Sequence, residues 1–311
     1  IYGDSDKERK ISSFEKEDRM TKKEFEELTG TGVLLLDGAT GSWLRKKGMP
    51  IGVCAEQWNL EHPEVITELQ RSYVEVGSRV LYAPTFSANR ISLGLFGLQD
   101  KVEELNTRLV QLSKKAADGR ALVAGDLTTT GKVIGPEGEV TYEELFDVYR
   151  EQAEALANAG ADLLVAETLL SVEEAMAVLD AAQSICDLPV MCSLTLEADG
   201  SALYGGNAVE MIETLQQMGA AAAGLNCSVG PDQLEAVVSS MKEAAQIPVL
   251  VKPNAGLPTM DDKGVAHYSM GPEAFARSMK KLIERGAGIV GGCCGTEPAH
   301  IRRLAQMLEQ K

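Results

Sequence analysis

Eight short apolar runs alternate with amphipathic stretches along this chain. The runs are VLLLD (33–37), RVLYA (79–83), ALVAG (121–125), DLLVA (162–166), PVMCS (189–193), AAGLN (222–226), PVLVK (248–252) and GIVGG (288–292). Each is rich in Val, Leu or Ala, which predicts strands buried on both faces. Between them, apolar positions recur at helical spacing. Helices are predicted from Pro63 toward Gly77 and over 100–117, 141–159, 171–185, 207–218, 231–245, 272–285 and 297–309. Gly77, Gly160 and Gly219 each stand just before a new strand, where a helix is expected to stop.

Eight strand–helix alternations predict an α/β protein, a closed parallel (β/α)8 TIM barrel, with a doubly wound open sheet as the competitor. No G-x-G-x-x-G follows the first run, as a dinucleotide-binding open sheet would want. Two long segments read as elaborated loops, GSWLRKKGMPIGVCAEQWNLEH after the first run and NAGLPTMDDKGVAHYSMG after the seventh. Loops on that face of a barrel build its active site. No linker marks a second domain.

Charge narrows the partners. The 311 residues include 46 acidic and 30 basic ones, a net charge of −16. That balance disfavours nucleic acid, whose binding rests on neutralising phosphates, and an anionic membrane surface. No apolar run approaches the ~18 residues of a transmembrane helix. The start, IYGDSDKERKISSFEKEDRM, lacks the apolar stretch of a secretory signal. Residues 1–19 therefore read as a disordered or appended lead-in, and 20–311 as one barrel domain. Six cysteines in a chain this long do not form a small secreted scaffold. A reducing, cytoplasmic setting is expected.

Catalytic groups of a barrel belong at the C-terminal ends of its strands. Asp37 closes the first predicted strand, Thr85 lies past the second, Asp126 follows the third and Glu167 closes the fourth. Cys227 closes the sixth, Asn254 follows the seventh, and Cys293 and Cys294 close the eighth. Each alone is compatible with a turn or cap residue; their common rim position points to a shared site. Zinc prefers thiolates, and a catalytic zinc keeps three protein ligands and one open position. Cys227, Cys293 and Cys294 can supply the three. Adjacent cysteines cannot both point inward from a regular strand, but the glycines around them permit a turn at the strand end. A buried cysteine pair or a vicinal disulfide stays open on spacing alone. Cys192 reads as core, Cys186 as a helix-end residue and Cys54 as a structural loop residue. The three histidines offer no metal set.

At these residues the chain resembles the homocysteine S-methyltransferase family, over nearly all of 32–310. The matching segments are DGATG (37–41), PTFSANR (84–90), AGDLTTTG (124–131), GLNCSVGP (224–231), KPNAGLP (252–258) and GGCCGT (291–296). The resemblance implies a (β/α)8 barrel with one Zn2+ per chain held by Cys227, Cys293 and Cys294. Within the family the chain looks most like the homocysteine-binding module of cobalamin-dependent methionine synthases. It departs from them at TTTG, where their pattern more often reads Gly-Pro-Thr-Gly. The full synthases also continue into folate, cobalamin and reactivation domains, whereas this chain ends at Lys311.

The implied reaction activates homocysteine as a zinc thiolate and methylates it to methionine. Three thiolates and Zn2+ carry a formal charge of about −1, which keeps the substrate sulfur nucleophilic. Glu167 resembles the family glutamate that contacts the amino group, and Asp37 and Asp126 are further substrate-binding candidates. Backbone amides near Ala39, Thr40 or the TTTG turn are candidates for the substrate carboxylate. Methylcobalamin is the expected donor, on a corrinoid protein or a linked cobalamin domain. The alternatives are S-methylmethionine or another small donor, a barrel lyase or isomerase acting on a phosphorylated substrate, and a zinc- or redox-sensing barrel without turnover.

Overall fold

The computed structural model describes residues 19–135, 138–262 and 266–309. The eight apolar runs are its barrel strands: β1 (Leu34–Leu35), β2 (Val80–Tyr82), β3 (Leu122–Thr128), β4 (Leu163–Leu169), β5 (Val190–Leu194), β6 (Ala222–Cys227), β7 (Val249–Pro253) and, eighth around the barrel, β10 (Ala287–Val290). Strands β8 (Pro258–Met260) and β9 (Ala266–Tyr268) form a small antiparallel hairpin between the last two. The barrel order is β1-β10-β7-β6-β5-β4-β3-β2, and every pairing in it is parallel. A parallel bridge between Leu36 and Val80 joins the two ends, helped by the Arg79 amide donating to the Leu35 carbonyl at 2.8 Å. The (β/α)8 barrel is the architecture, and an open sheet is excluded.

The predicted helices form the outer layer: α4 (Pro63–Glu75), α6 (Val102–Ala117), α7 (Tyr142–Asn158), α8 (Val172–Gln183), α9 (Ala208–Gln217), α10 (Glu235–Ala244), α11 (Pro272–Glu284) and α12 (Pro298–Glu309). In α7, Thr141 accepts from the Glu144 amide at 3.1 Å, and the Glu144 carboxylate accepts from the Thr141 amide at 2.8 Å. This reciprocal cap satisfies two otherwise free amides. One face of α7, with Leu145, Tyr149, Ala153 and Leu156, is fully buried. Burying each such leucine contributes about 1.5–3 kcal/mol. Four helices lie outside the periodic pattern: α1 (Lys22–Gly30), α2 (Gly41–Lys46), α3 (Ala55–Glu61) and α5 (Arg90–Gly94). The lead-in assigned to 1–19 falls, but for Arg19, outside the described residues.

The barrel interior has two storeys. Its lower core holds Leu34, Leu36, Val80, Ala124, Leu163, Val165, Met191, Ala222, Leu250 and Ile289, with Phe25 of α1 in the same cluster. Side chains on a strand alternate between faces, so positions two residues on face the same interior, nearer the mouth. Those positions are Asp126, Glu167, Ser193 and Lys252, joined by Asn226 four residues beyond Ala222, all buried. Strands β3 and β4 run past the predicted ends, so Asp126 and Glu167 sit within them. Strand β10 stops at Val290, so the cysteine pair lies beyond the ladder, on the loop it enters. No helix among the described residues is long and apolar enough to cross a membrane.

Candidate metal centre

Cys227 is the last residue of β6, and its φ of +61° is matched by +61° at Ser228. Non-glycine residues in this left-handed region carry a conformational cost of about 1–3 kcal/mol, which the surroundings must hold. The result turns the Cys227 thiol toward the segment after β10. That segment is pinned by its backbone: the Cys293 amide donates to the Pro253 carbonyl at 2.8 Å, and the Cys294 carbonyl accepts from the Ala255 amide at 2.9 Å. The glycines are demanded by packing. A Cβ on Gly291 would lie 2.7 Å from the Asp37 carbonyl, and one on Gly292 2.5 Å from Thr296 Cγ2.

The sulfurs of Cys227, Cys293 and Cys294 lie within 4.8 Å of one another. All six cysteines are free thiols. Hydrogen bonds from Cys227, Cys293 and then Tyr268 hold the Cys294 thiol down to about 3. The Cys227 thiol is pushed up, first by its hydrogen bond with Cys293. The other three cysteines stand elsewhere. Cys192 is buried inside β5, Cys186 faces the Ala182 carbonyl at 3.5 Å, and the Cys54 thiol donates to Glu56 at 3.4 Å. A trio of soft donors with no disulfide between them fits a zinc ion with a fourth position left open.

Beneath the thiols lies a charged layer. Asp37 Oδ2 accepts from the Tyr82 amide at 2.8 Å. Lys252 Nζ lies 3.4 Å from Asp37 Oδ1 and 3.8 Å from Glu167 Oε2. Burial pushes the Glu167 carboxyl up to about 7, against the pull of Lys252. Burial, then the Glu167 charge, lifts Asp126 well above the usual carboxylate range, and burial raises Asp37 as well. For Lys252, burial favours the neutral amine, but Glu167 and Asp37 overcome it and hold the ammonium charged.

Asn226 ties the two layers together. Its Oδ1 accepts from the Thr168 amide at 2.8 Å and the Ser193 hydroxyl at 2.9 Å. Its Nδ2 donates to Thr168 Oγ1 at 2.8 Å and to Glu167 Oε2 at 3.4 Å, and lies 4.0 Å from Cys293 Sγ. Thr85 and Asn254 are loop supports: Thr85 donates to the Asp126 carbonyl and Asn254 to the Ser228 carbonyl, both at 2.8 Å. Two suggested anchors for a substrate carboxylate are already engaged. The Ala39 amide donates to Thr296 Oγ1 at 3.0 Å, and the Thr130 amide donates to Tyr149 and Glu174.

Four residues of the site escape the sequence reading: Lys252, Tyr82, Thr168 and Tyr268. Lys252 had a usable signal, since it stands two residues beyond the inward Leu250 in an otherwise apolar run. Tyr268 had none, because the hairpin that carries it follows no buried periodicity.

A family model described as homocysteine S-methyltransferase matches residues 34–308. The chain belongs to that family. It is 31% identical over 293 residues to the methionine synthase of Mycobacterium tuberculosis, covering 88% of this chain and 24% of that protein. The chain therefore spans about a quarter of the length of the curated relatives it matches. Among solved structures, the metallated homocysteine methyltransferase MmuM from Escherichia coli superposes with a TM-score of 0.74 at 24% identity, covering 90% of this chain and 98% of that one. The carboxyl transferase domain of Rhizobium etli pyruvate carboxylase shares the barrel more distantly, with a TM-score of 0.53 at 15% identity, over 93% of this chain and 50% of its own.

Proposed function

We propose that this chain is a zinc-dependent homocysteine S-methyltransferase that makes methionine, with a methyl-corrinoid on a partner or linked domain as donor. The observation that carries the reading is the sulfur trio within 4.8 Å, set directly above three buried carboxylates. Zinc held by Cys227, Cys293 and Cys294 would take up the homocysteine sulfur and favour its thiolate at neutral pH. The remaining work belongs to the chain's own side chains. Glu167 and Asp37 offer carboxylate oxygens to the substrate ammonium, and Asp126 adds a third below them. Asn226 fixes the Thr168 turn beside the sulfurs and keeps Glu167 aimed at the mouth. Anchoring the amino-acid end while the sulfur is held above it lowers the entropic cost of an in-line attack on the methyl group.

The rim supports a bulky donor. Every large hydrophobic side chain that stands exposed among the described residues lies on a segment leading out of a strand's C-terminal end. They are Ile51, Val53, Leu95, Phe96, Val133, Leu203, Tyr204, Leu257 and Met260. A ring of this kind suits the approach of another protein surface. A small cationic donor would instead want aromatic faces around it. Here the Tyr82 ring is already taken by Lys252, 4.3 Å from its centroid, and Trp43 faces Lys46 and Lys47. Free thiols suit a reducing cytoplasm. The test is initial methionine formation with methylcobalamin, S-methylmethionine and betaine, under identical zinc and homocysteine. Methylcobalamin should lead, and a cognate corrinoid protein should exceed it. A preference for S-methylmethionine would overturn the donor and leave the zinc chemistry standing. Zinc binding without turnover from any donor would favour a sensing role.

A further inference from the structure

Lys252 is the only lysine or arginine buried among the described residues. Charged groups face it from every side of the mouth. Asp37 follows β1 at 3.4 Å, Glu167 comes from β4 at 3.8 Å, and the ring of Tyr82 on β2 has its centroid 4.3 Å away. Asp126 of β3 and Cys293 after β10 complete the set. Taking a lysine out of water is costly unless its partners compensate. Here the partners outnumber it, with three buried carboxylates against one ammonium. Their hydrogen bonding is also incomplete. Asp126 Oδ1 and the Tyr82 hydroxyl are buried without a hydrogen-bond partner, and Asp37 Oδ1 has only the Lys252 ammonium, 3.4 Å away. Orphaned polar atoms clustered round a fixed cation mark a pocket that a further cationic donor completes.

We propose that Lys252 is a positioning residue that sets the site's specificity for an amine-bearing thiol. By bridging Asp37 and Glu167 it favours their ionised forms and turns them to the mouth, and it leaves that pair one cation short. The ammonium of an amino-acid thiol supplies that cation. The inference rests on the homocysteine reading above and adds how the amine is demanded. A thiol of similar length without the amine, such as 4-mercaptobutanoate, leaves the surplus carboxylate unpaired and is rejected.

The experiment uses zinc-loaded protein and isothermal titration with homocysteine and 4-mercaptobutanoate over a range of pH. Lys252→Met keeps the side-chain length and removes the charge. It should retain zinc, weaken homocysteine at neutral pH by about tenfold or more, and narrow the preference over 4-mercaptobutanoate by a similar factor. Raising the pH should recover homocysteine binding, because carboxylates deprived of their cation hold protons to higher pH. In turnover the loss should appear in KM more than in kcat. A Lys252→Met protein that melts earlier but keeps the wild-type pH profile and amine preference would overturn the proposal. Should that variant not fold, Lys252→Gln carries the same test: it keeps a polar head without the charge and should narrow the amine preference and move the binding profile to higher pH, and an unmoved profile refutes the charge count. Failure of the activity reading would look different, with wild-type protein binding zinc but methylating no homocysteine.

Discussion

The ring of Tyr268 occupies the space that a side chain at Gly295 would need: a Cβ there would lie 2.2 Å from Tyr268 Cγ. Gly295 also sits at φ +80°. The tyrosine hydroxyl bonds to Cys294, so the β8–β9 hairpin is fastened onto the cysteine segment by a contact only glycine allows. Gly295→Ala combines a clash with a left-handed backbone cost of about 1–3 kcal/mol. The variant should bind zinc more weakly in competition with a chelator while its circular dichroism stays that of the intact barrel. Unchanged zinc affinity would mean the hairpin contact does not shape the thiols.

Metal analysis of six single cysteine variants separates ligands from bystanders. Alanine at Cys227, Cys293 or Cys294 should remove most of the proposed single zinc and all methyl transfer. Substituting Cys54, Cys186 or Cys192 should leave zinc in place, because those thiols sit among other partners. Full zinc occupancy in Cys293→Ala would end the three-thiolate assignment. Stripping the metal should leave the barrel folded, since the lower core does not include the ligands.

Glu167→Gln removes the charge proposed to face the substrate ammonium but keeps the shape and the neighbour Asn226. A charge-assisted hydrogen bond is worth roughly 1.5–3 kcal/mol, hence about tenfold to over a hundredfold in homocysteine affinity. Zinc content should not change. An unaltered titration would make Glu167 a structural residue.

The pH dependence of homocysteine binding has a definite sign. Burial raises the Glu167 carboxyl from 4.5 to about 7. The ammonium pairs with the ionised form, so affinity should weaken as pH falls through about 7, with protons released on binding below that point. The same raised value means the folded state holds the extra proton, so this group's contribution to stability falls as pH rises from 4.5 to 7. Calorimetry in buffers of differing ionisation enthalpy measures the released proton directly. The thiol proton leaves on binding at every pH near neutrality, so a release that does not rise further below pH 7 would contradict the assignment.

The strands and outer helices were readable because burial imposes a period. The eight apolar runs have the length and composition of buried strands, and α7 begins one residue from its predicted start, at the Thr141 cap. Helices α1, α2, α3 and α5 were missed for a common reason: they are short or lie on one another and on barrel ends, so their apolar residues follow no long repeat. Phe25 is the clearest instance, a single buried aromatic in an otherwise polar helix. The thiols and carboxylates could be located from strand ends alone. Lys252 could not be assigned a role that way, because its meaning lies in Asp37 and Glu167, which are distant in sequence and brought to it by barrel closure.

The two-storey interior has a consequence for how this chain can change. On β4, Val165 belongs to the dry core and Glu167 to the reactive layer, with outward Ala166 between them. Each barrel strand thus has a reading frame of two. Inserting or deleting one residue below Glu167 would swing the carboxylate into the helical shell and present a neighbour to the sulfurs. The lineage can therefore lengthen its rim loops freely, whereas the strands admit substitutions but no single-residue change in length. Divergence in this molecule should be recorded as loop growth above the mouth and as near-constant spacing beneath it.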